Sequence, residues 1–165
     1  MEVMPLYTLD ELDRKILDIL QADGRASHVQ IARQLGVGHT RVRDRILRME
    51  QVGVIRGYRA EIDPTVLGWD VLCIVQMTTD QQQDFDRLVE DILAIDEVVE
   101  VTNVTGEVDA HVRVWARDVA HLREILYNKL SVLPAHKSTN STIVLKRWTK
   151  PLNLVQDEAV SADEG

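Results

Sequence analysis

Thr40, Arg41, Arg43, Asp44 and Arg48 bring hydroxyl, guanidinium and carboxylate groups onto one stretch of chain at helical spacing. Val42, Ile46 and Met49, four and three residues apart, form an inward stripe. At about 100° per residue, Thr40, Asp44 and Arg48 then stand opposite that stripe, with Arg41 and Arg43 on its flanks. Guanidinium groups presented this way can pair with guanine edges and phosphates in a DNA major groove. Arg45, about 60° from the apolar stripe, either packs or reaches a phosphate. His39, in the first turn, is either a phosphate donor or an ordinary first-turn residue. Arg56 and Arg59 fit a DNA backbone contact, or a solvated strand, about equally well.

The competing explanation is a solvated helix whose arginines only confer solubility, and charge distribution weighs against it. From Arg25 to Arg59 there are eight arginines and only two acids, Asp44 and Glu50, a net of +6. Residues 61–165 hold nine basic and nineteen acidic residues, a net of −10. The chain total of −8 therefore hides a cationic patch on an acidic body. Such a patch attracts phosphates while the acidic remainder is held away from them.

The elements that must position these groups begin with three helices. Thr8 and Glu11 have the spacing of a capping box, with Tyr7 and Leu12 placed as a hydrophobic staple. Leu12, Ile16, Ile19 and Leu20 follow at helical spacing, and Gly24 marks the end. Ser27 and Gln30 make a second capping box; Ile31, Ala32 and Leu35 bury that helix, which Gly36 ends. Gly38 precedes the arginine-bearing helix as a weak N-cap. Loose alternation over 54–62 predicts a strand or wing, giving a winged helix-turn-helix over residues 1–62. Asp63-Pro64 and Gly68 punctuate a linker over 63–69.

The second half has another rhythm. Strands are predicted over Val71–Thr78, Val98–Val104, Val108–Ala116 and Ser141–Trp148. Two helices carry Phe85, Leu88, Val89, Ile92 and Leu93, and Leu122, Ile125, Leu126 and Leu133. The order βαββαβ over residues 70–150 is ferredoxin-like, so the fold class is α+β. Both helices then cover one face of an antiparallel sheet, and the part-apolar other face is left for a partner subunit. Residues 151–165 lack periodicity and predict a disordered acidic tail.

Composition narrows the classes further. No apolar run approaches membrane-spanning length, and MEVMPLYTLD lacks a secretion signal. The single cysteine, Cys73, lies in VLCIV and reads as a core residue. These features predict a cytoplasmic chain that does not enter membranes. Five histidines show no metal-ligand spacing, so no metal and no cofactor is expected.

In size and order these domains resemble the leucine-responsive/asparagine-responsive (Lrp/AsnC) family of transcription regulators over about residues 9–150. LDRKILDILQADGR is similar to that family's first helix. RVRDRILRMEQVGVIRGYRAEIDPTVLG is similar to its recognition helix, wing and linker. TGEVDAHVRV resembles its glycine-turn segment, and LPAHKSTNSTIVL the approach to its last strand. Leu47 near the outward face, Val108 after the turn and Ala135-His136 depart from the family pattern.

The resemblance implies binding of double-stranded DNA by a homodimer that assembles to an octamer. It also implies an amino-acid effector held between dimers. The effector would lie at Gly106, Glu107 and Asp109, where turn amides meet a carboxylate and side-chain acceptors meet an ammonium. Thr139 and Ser141 would face the same site across a dimer contact. Without the resemblance, this segment reads as a hairpin turn with two solvated acids. A few proteins of this architecture are sirohaem decarboxylases, and His111 and Arg113 could be cast in that role. The arginine-rich third helix favours a DNA-binding regulator and not an enzyme.

Overall fold

The computed structural model describes residues 7–80 and 84–152. It divides into two compact units, residues up to Glu61 with 149–152, and Ile62–Trp148. The acidic tail expected over 151–165 falls, from residue 153 on, outside the described residues.

The first unit holds α1 (Glu11–Ala22), α2 (His28–Leu35) and α3 (His39–Gln51). Ile16, Ile31, Val42 and Met49 are fully buried between them, with Leu17, Ala32 and Ile46 close to it. Each such side chain taken from water is worth about 1.5–3 kcal/mol, which is what holds so short a bundle together. The Ser27–Gln30 capping box forms as expected, with Ser27 N donating to Gln30 Oε1 at 2.8 Å. Gly36 ends α2 at φ +66°, and Gly38 caps α3 with no side-chain bond.

The start of α1 differs from expectation. Its N-cap is Asp10, and the capping box joins Asp10 to Asp13 instead of Thr8 to Glu11. Aspartate caps at least as well as threonine, and this register also places both carboxylates against Arg45. Tyr7 and Leu12 both pack against the core of this unit, and the Tyr7 hydroxyl donates to Asp13 Oδ2 at 2.9 Å. The wing differs as well, since residues 54–62 form neither helix nor strand. A strand needs a partner to satisfy its amides, and among the described residues none pairs with this segment. Tyr58 instead donates its hydroxyl to Glu50 at 3.0 Å.

The second unit opens with a 3-10 turn at Pro64–Leu67. It continues as β1 (Val71–Thr79), α4 (Phe85–Leu93), β2 (Val98–Asn103), β3 (Ala110–Ala116), α5 (Val119–Glu124) and β4 (His136–Ile143). α5 runs on into a π-helical segment, Ile125–Leu130. The antiparallel sheet has the order β2-β3-β1-β4, the ferredoxin-like arrangement. Cys73, Val75 and Met77 of β1 face Val114, Val112 and Ala110 of β3, and Leu88, Ile92, Leu122, Ile125 and Leu130 pack over them.

Two strands differ from expectation by more than one residue. β3 begins at Ala110; Asp109 just before it still donates its N–H to Met77 O at 2.9 Å, while its side chain bonds Thr79. β4 lies at His136–Ile143 and not Ser141–Trp148. This polar edge strand pairs through its backbone, with Val75 opposite Ser141, so apolar residues do not mark it. Glu97 and His121 are buried as a pair, Nε2 to Oε1 at 3.1 Å, and Lys129 Nζ bonds both Glu97 oxygens at 2.7 and 2.8 Å. Among the described residues no helix is long and apolar enough to cross a membrane.

Candidate DNA-binding face and effector cleft

The hydrophobic stripe of α3 is buried through Val42, Ile46 and Met49, which turns His39, Thr40, Arg41, Arg43, Asp44 and Arg48 outward as exposed residues. Arg43 spans to its neighbour, Nη2 to Asp44 Oδ1 at 3.1 Å, and both side chains stay more than half exposed. That pair is held in water at little net gain, so either group can exchange its partner for a base or phosphate. Arg56 is exposed beyond the end of α3. Leu47 is exposed on the same helix, and nothing in the structure explains it.

Arg45 is held by two carboxylates of α1's first turn and cap. Its Nη1 bonds Asp10 Oδ2, and both oxygens of the fully buried Asp13 at 3.1 Å. The Asp10 bond outweighs burial and keeps this guanidinium charged well above its ordinary range. The Asp13 backbone amide, ahead of Arg45, holds the Asp10 carboxyl below its usual value. Arg45 thus ties α3 to the start of α1 while its side chain stays part-exposed. Sequence reading missed Tyr7, Asp10 and Asp13 as partners of the α3 arginines; the repeated acids in LDELD were the available signal.

In the second unit, residues 104–109 make the turn between β2 and β3, with Val104 N donating to Asp109 O at 3.1 Å. Gly106 sits at φ +131°, the conformation its type anticipated, and Gly106 and Glu107 are exposed. Asp109 Oδ2 accepts from Thr79 N at 2.7 Å and Thr79 Oγ1 at 3.0 Å. Asp109 lines a cleft of about 250 Å³ with Thr79, Asp80, Asp84, Phe85, Leu88, Asn103 and Ala135. Gly106, Glu107, Thr139 and Ser141 lie outside this lining; Thr139 and Ser141 are exposed on β4 opposite Met77 and Val75. The sequence reading had no means to find the cleft, because β1, α4 and the turn meet only in the fold. Among the described residues no cluster of His, Cys, Asp or Glu could hold a metal ion.

A helix-turn-helix with an arginine-bearing outward helix, followed by a ferredoxin-like domain, defines a two-domain DNA-binding transcription regulator. The model of the AsnC-type helix-turn-helix domain matches residues 9–50, and that of the Lrp/AsnC ligand binding domain matches residues 72–153. The chain belongs to the Lrp/AsnC family. The regulatory protein AsnC of Escherichia coli K12 is 32% identical over 143 residues, 87% of this chain and 94% of that protein. An uncharacterized HTH-type transcriptional regulator of Pyrococcus furiosus is 34% identical, over 85% of this chain and 95% of its own.

Among solved structures, Escherichia coli AsnC superposes with a TM-score of 0.82 at 30% identity, covering 89% of this chain and 99% of that one. The feast or famine regulatory protein of M. tuberculosis, complexed with L-methionine, gives 0.80 at 30% identity, covering 87% and 96%. These relatives are regulators, which sets the decarboxylase alternative at His111 and Arg113 aside.

Proposed function

We propose that this regulator reads DNA by laying α3 in the major groove. Thr40, Arg41, Arg43 and Asp44 then face base edges, while His39, Arg48 and Arg56 meet phosphates. The observation that carries this is the exposed α3 surface opposite a fully buried Val42–Met49 stripe, in a segment of net charge +6 within an acidic chain. Recognition helices offer their N-terminal residues to base edges, which favours Arg41 and Arg43 as readers. Arg43→Ala should weaken binding to a selected duplex by about 1–3 kcal/mol and relax discrimination. Gel-shift titrations against selected and unrelated duplexes test it; unchanged binding to both would remove α3 from the groove.

An α-amino acid is the effector in this reading, bound beside the 104–109 turn. The support is the fixed carboxylate of Asp109, the exposed amides around Gly106, and L-methionine in the M. tuberculosis relative. The molecule works as a cytoplasmic homodimer joined through the sheet face not covered by α4 and α5, and assembles further to an octamer. Glu107, Thr139 and Ser141 contribute across contacts between dimers. Occupancy then shifts assembly or DNA affinity, and the coupling runs in both directions. Calorimetric titration of the twenty amino acids against wild type and Asp109→Asn tests the site, with heat from at least one expected and lost in the variant. No heat at millimolar concentration would leave the second unit an assembly module.

A further inference from the structure

We propose that Tyr7 is a positioning residue for DNA binding, fixing the Arg48 guanidinium for contact with a DNA phosphate. The inference rests on the groove reading above and deepens it. Arg48 lies in the last turn of α3, far from the N-terminal residues that such helices offer to base edges, so the phosphate backbone is what remains within its reach. A free arginine loses much rotamer freedom on making such a contact. Here that freedom is already restricted, because the Arg48 guanidinium carbon stands 5.1 Å from the centroid of the Tyr7 ring. This is within the range of a cation–π contact. Contact with the face of the ring does not use up the guanidinium N–H donors, which remain for a phosphate.

The ring is itself pinned. The Tyr7 hydroxyl donates to Asp13 Oδ2 at 2.9 Å, and Asp13 is fully buried. The same carboxylate accepts from Asp10 N at 3.2 Å and from Arg45 Nη1 at 3.1 Å. A phenol at its ordinary value of 10.0 is already a donor at neutral pH, and burial and then the Asp13 hydrogen bond push it higher. The start of α1, the body of α3 and the segment before α1 thus meet at one carboxylate. Arg48 lies over the Tyr7 ring at that junction and is exposed.

The test is fluorescence anisotropy with the full chain at several salt concentrations. The probes are a short duplex selected by the wild-type protein from a randomised pool and an unrelated duplex of equal length. Arg48→Ala should weaken both duplexes alike and reduce the salt slope by about one unit. Tyr7→Leu keeps the charge but frees it, so both affinities should fall roughly three- to tenfold with the slope retained. Tyr7→Phe keeps the ring and should stay within about twofold of wild type. In an Arg48→Ala background, Tyr7→Leu should add no further loss.

Wild-type affinity in Tyr7→Leu beside a weakened Arg48→Ala would overturn the proposal and leave the groove reading standing. A Tyr7→Leu loss that persists undiminished in the Arg48→Ala background would overturn it too, since Tyr7 would then act through the fold alone. Unchanged binding by Arg48→Ala would remove the contact itself, and Arg43→Ala on the same duplexes would then decide the groove reading separately.

Discussion

Gly106 shows how much one residue type can declare. Its place in TGEVDA predicts a turn with positive φ, and the observed +131° is a conformation that side-chain-bearing residues rarely adopt. A Cβ added there would meet nothing within 4 Å, so crowding is not the constraint. Gly106→Val should therefore cost about 1–3 kcal/mol through backbone strain alone. Urea melts check the value, and a melt equal to wild type would mean that the turn rearranges freely. Asp109 was legible as a polar residue at the turn but not as the partner of Thr79. That bond joins residues thirty apart, and no local pattern encodes it.

Helices were more legible than strands, for physical reasons visible in particular elements. Ser27 and Gln30 close a box with each other and with nothing else, so two letters suffice. At α1 two overlapping boxes compete, and the choice is made by Arg45, thirty-five residues further on. β4 was placed about five residues late because an edge strand of polar residues has no apolar alternation to read, and the strand expected over 54–62 did not form because local alternation supplies no ladder partner. Asp13→Ala would leave Arg45 beside an emptied buried site and cut the tie between α1 and α3. A loss of about 3 kcal/mol in thermal or denaturant unfolding of the first unit is expected. Gly38 has an ordinary φ of −70° and open space around a Cβ, so Gly38→Ser should stabilise α3 by a few tenths of a kcal/mol.

The Glu97 cluster gives the second unit a pH signature at the same scale. Burial opposes ionisation of Glu97, but Lys129, the residue's own backbone amide and then His121 outweigh it and hold the carboxyl below its ordinary value of 4.5. A depressed folded-state value means that the unfolded chain binds the proton first as pH falls. This stabilisation is therefore complete above that ordinary value and is lost as pH drops through the folded one. Glu97→Gln should lower stability at neutral pH and flatten the acid limb, read as melting temperature against pH. A parallel downward shift at every pH would place the acid sensitivity elsewhere.

For the whole molecule, the question is what occupies the sheet face that α4 and α5 leave uncovered. Ile74 and Gln76 of β1 and His111, Arg113 and Trp115 of β3 are only part-buried in the single chain, though they sit on central strands. Arg113 Nη1 is satisfied by Glu100 at 2.6 Å, yet its Nε is buried without a partner, so this face holds an unmet donor. A second copy packed there by a two-fold axis would bury the apolar residues and supply an acceptor. It would also present two α3 helices to half-sites about one helical turn or a multiple apart. Sedimentation at micromolar concentration should give a dimer as the smallest species. Ile74→Glu, which would set a carboxylate from each copy against the two-fold contact in place of an apolar side chain, should give a folded monomer. The monomer should keep its melting transition but lose most affinity for a duplex carrying both half-sites, because linked binding by the second helix is gone. A wild-type protein that sediments as a folded monomer, or an Ile74→Glu protein that stays dimeric, would place the dimer contact on another surface.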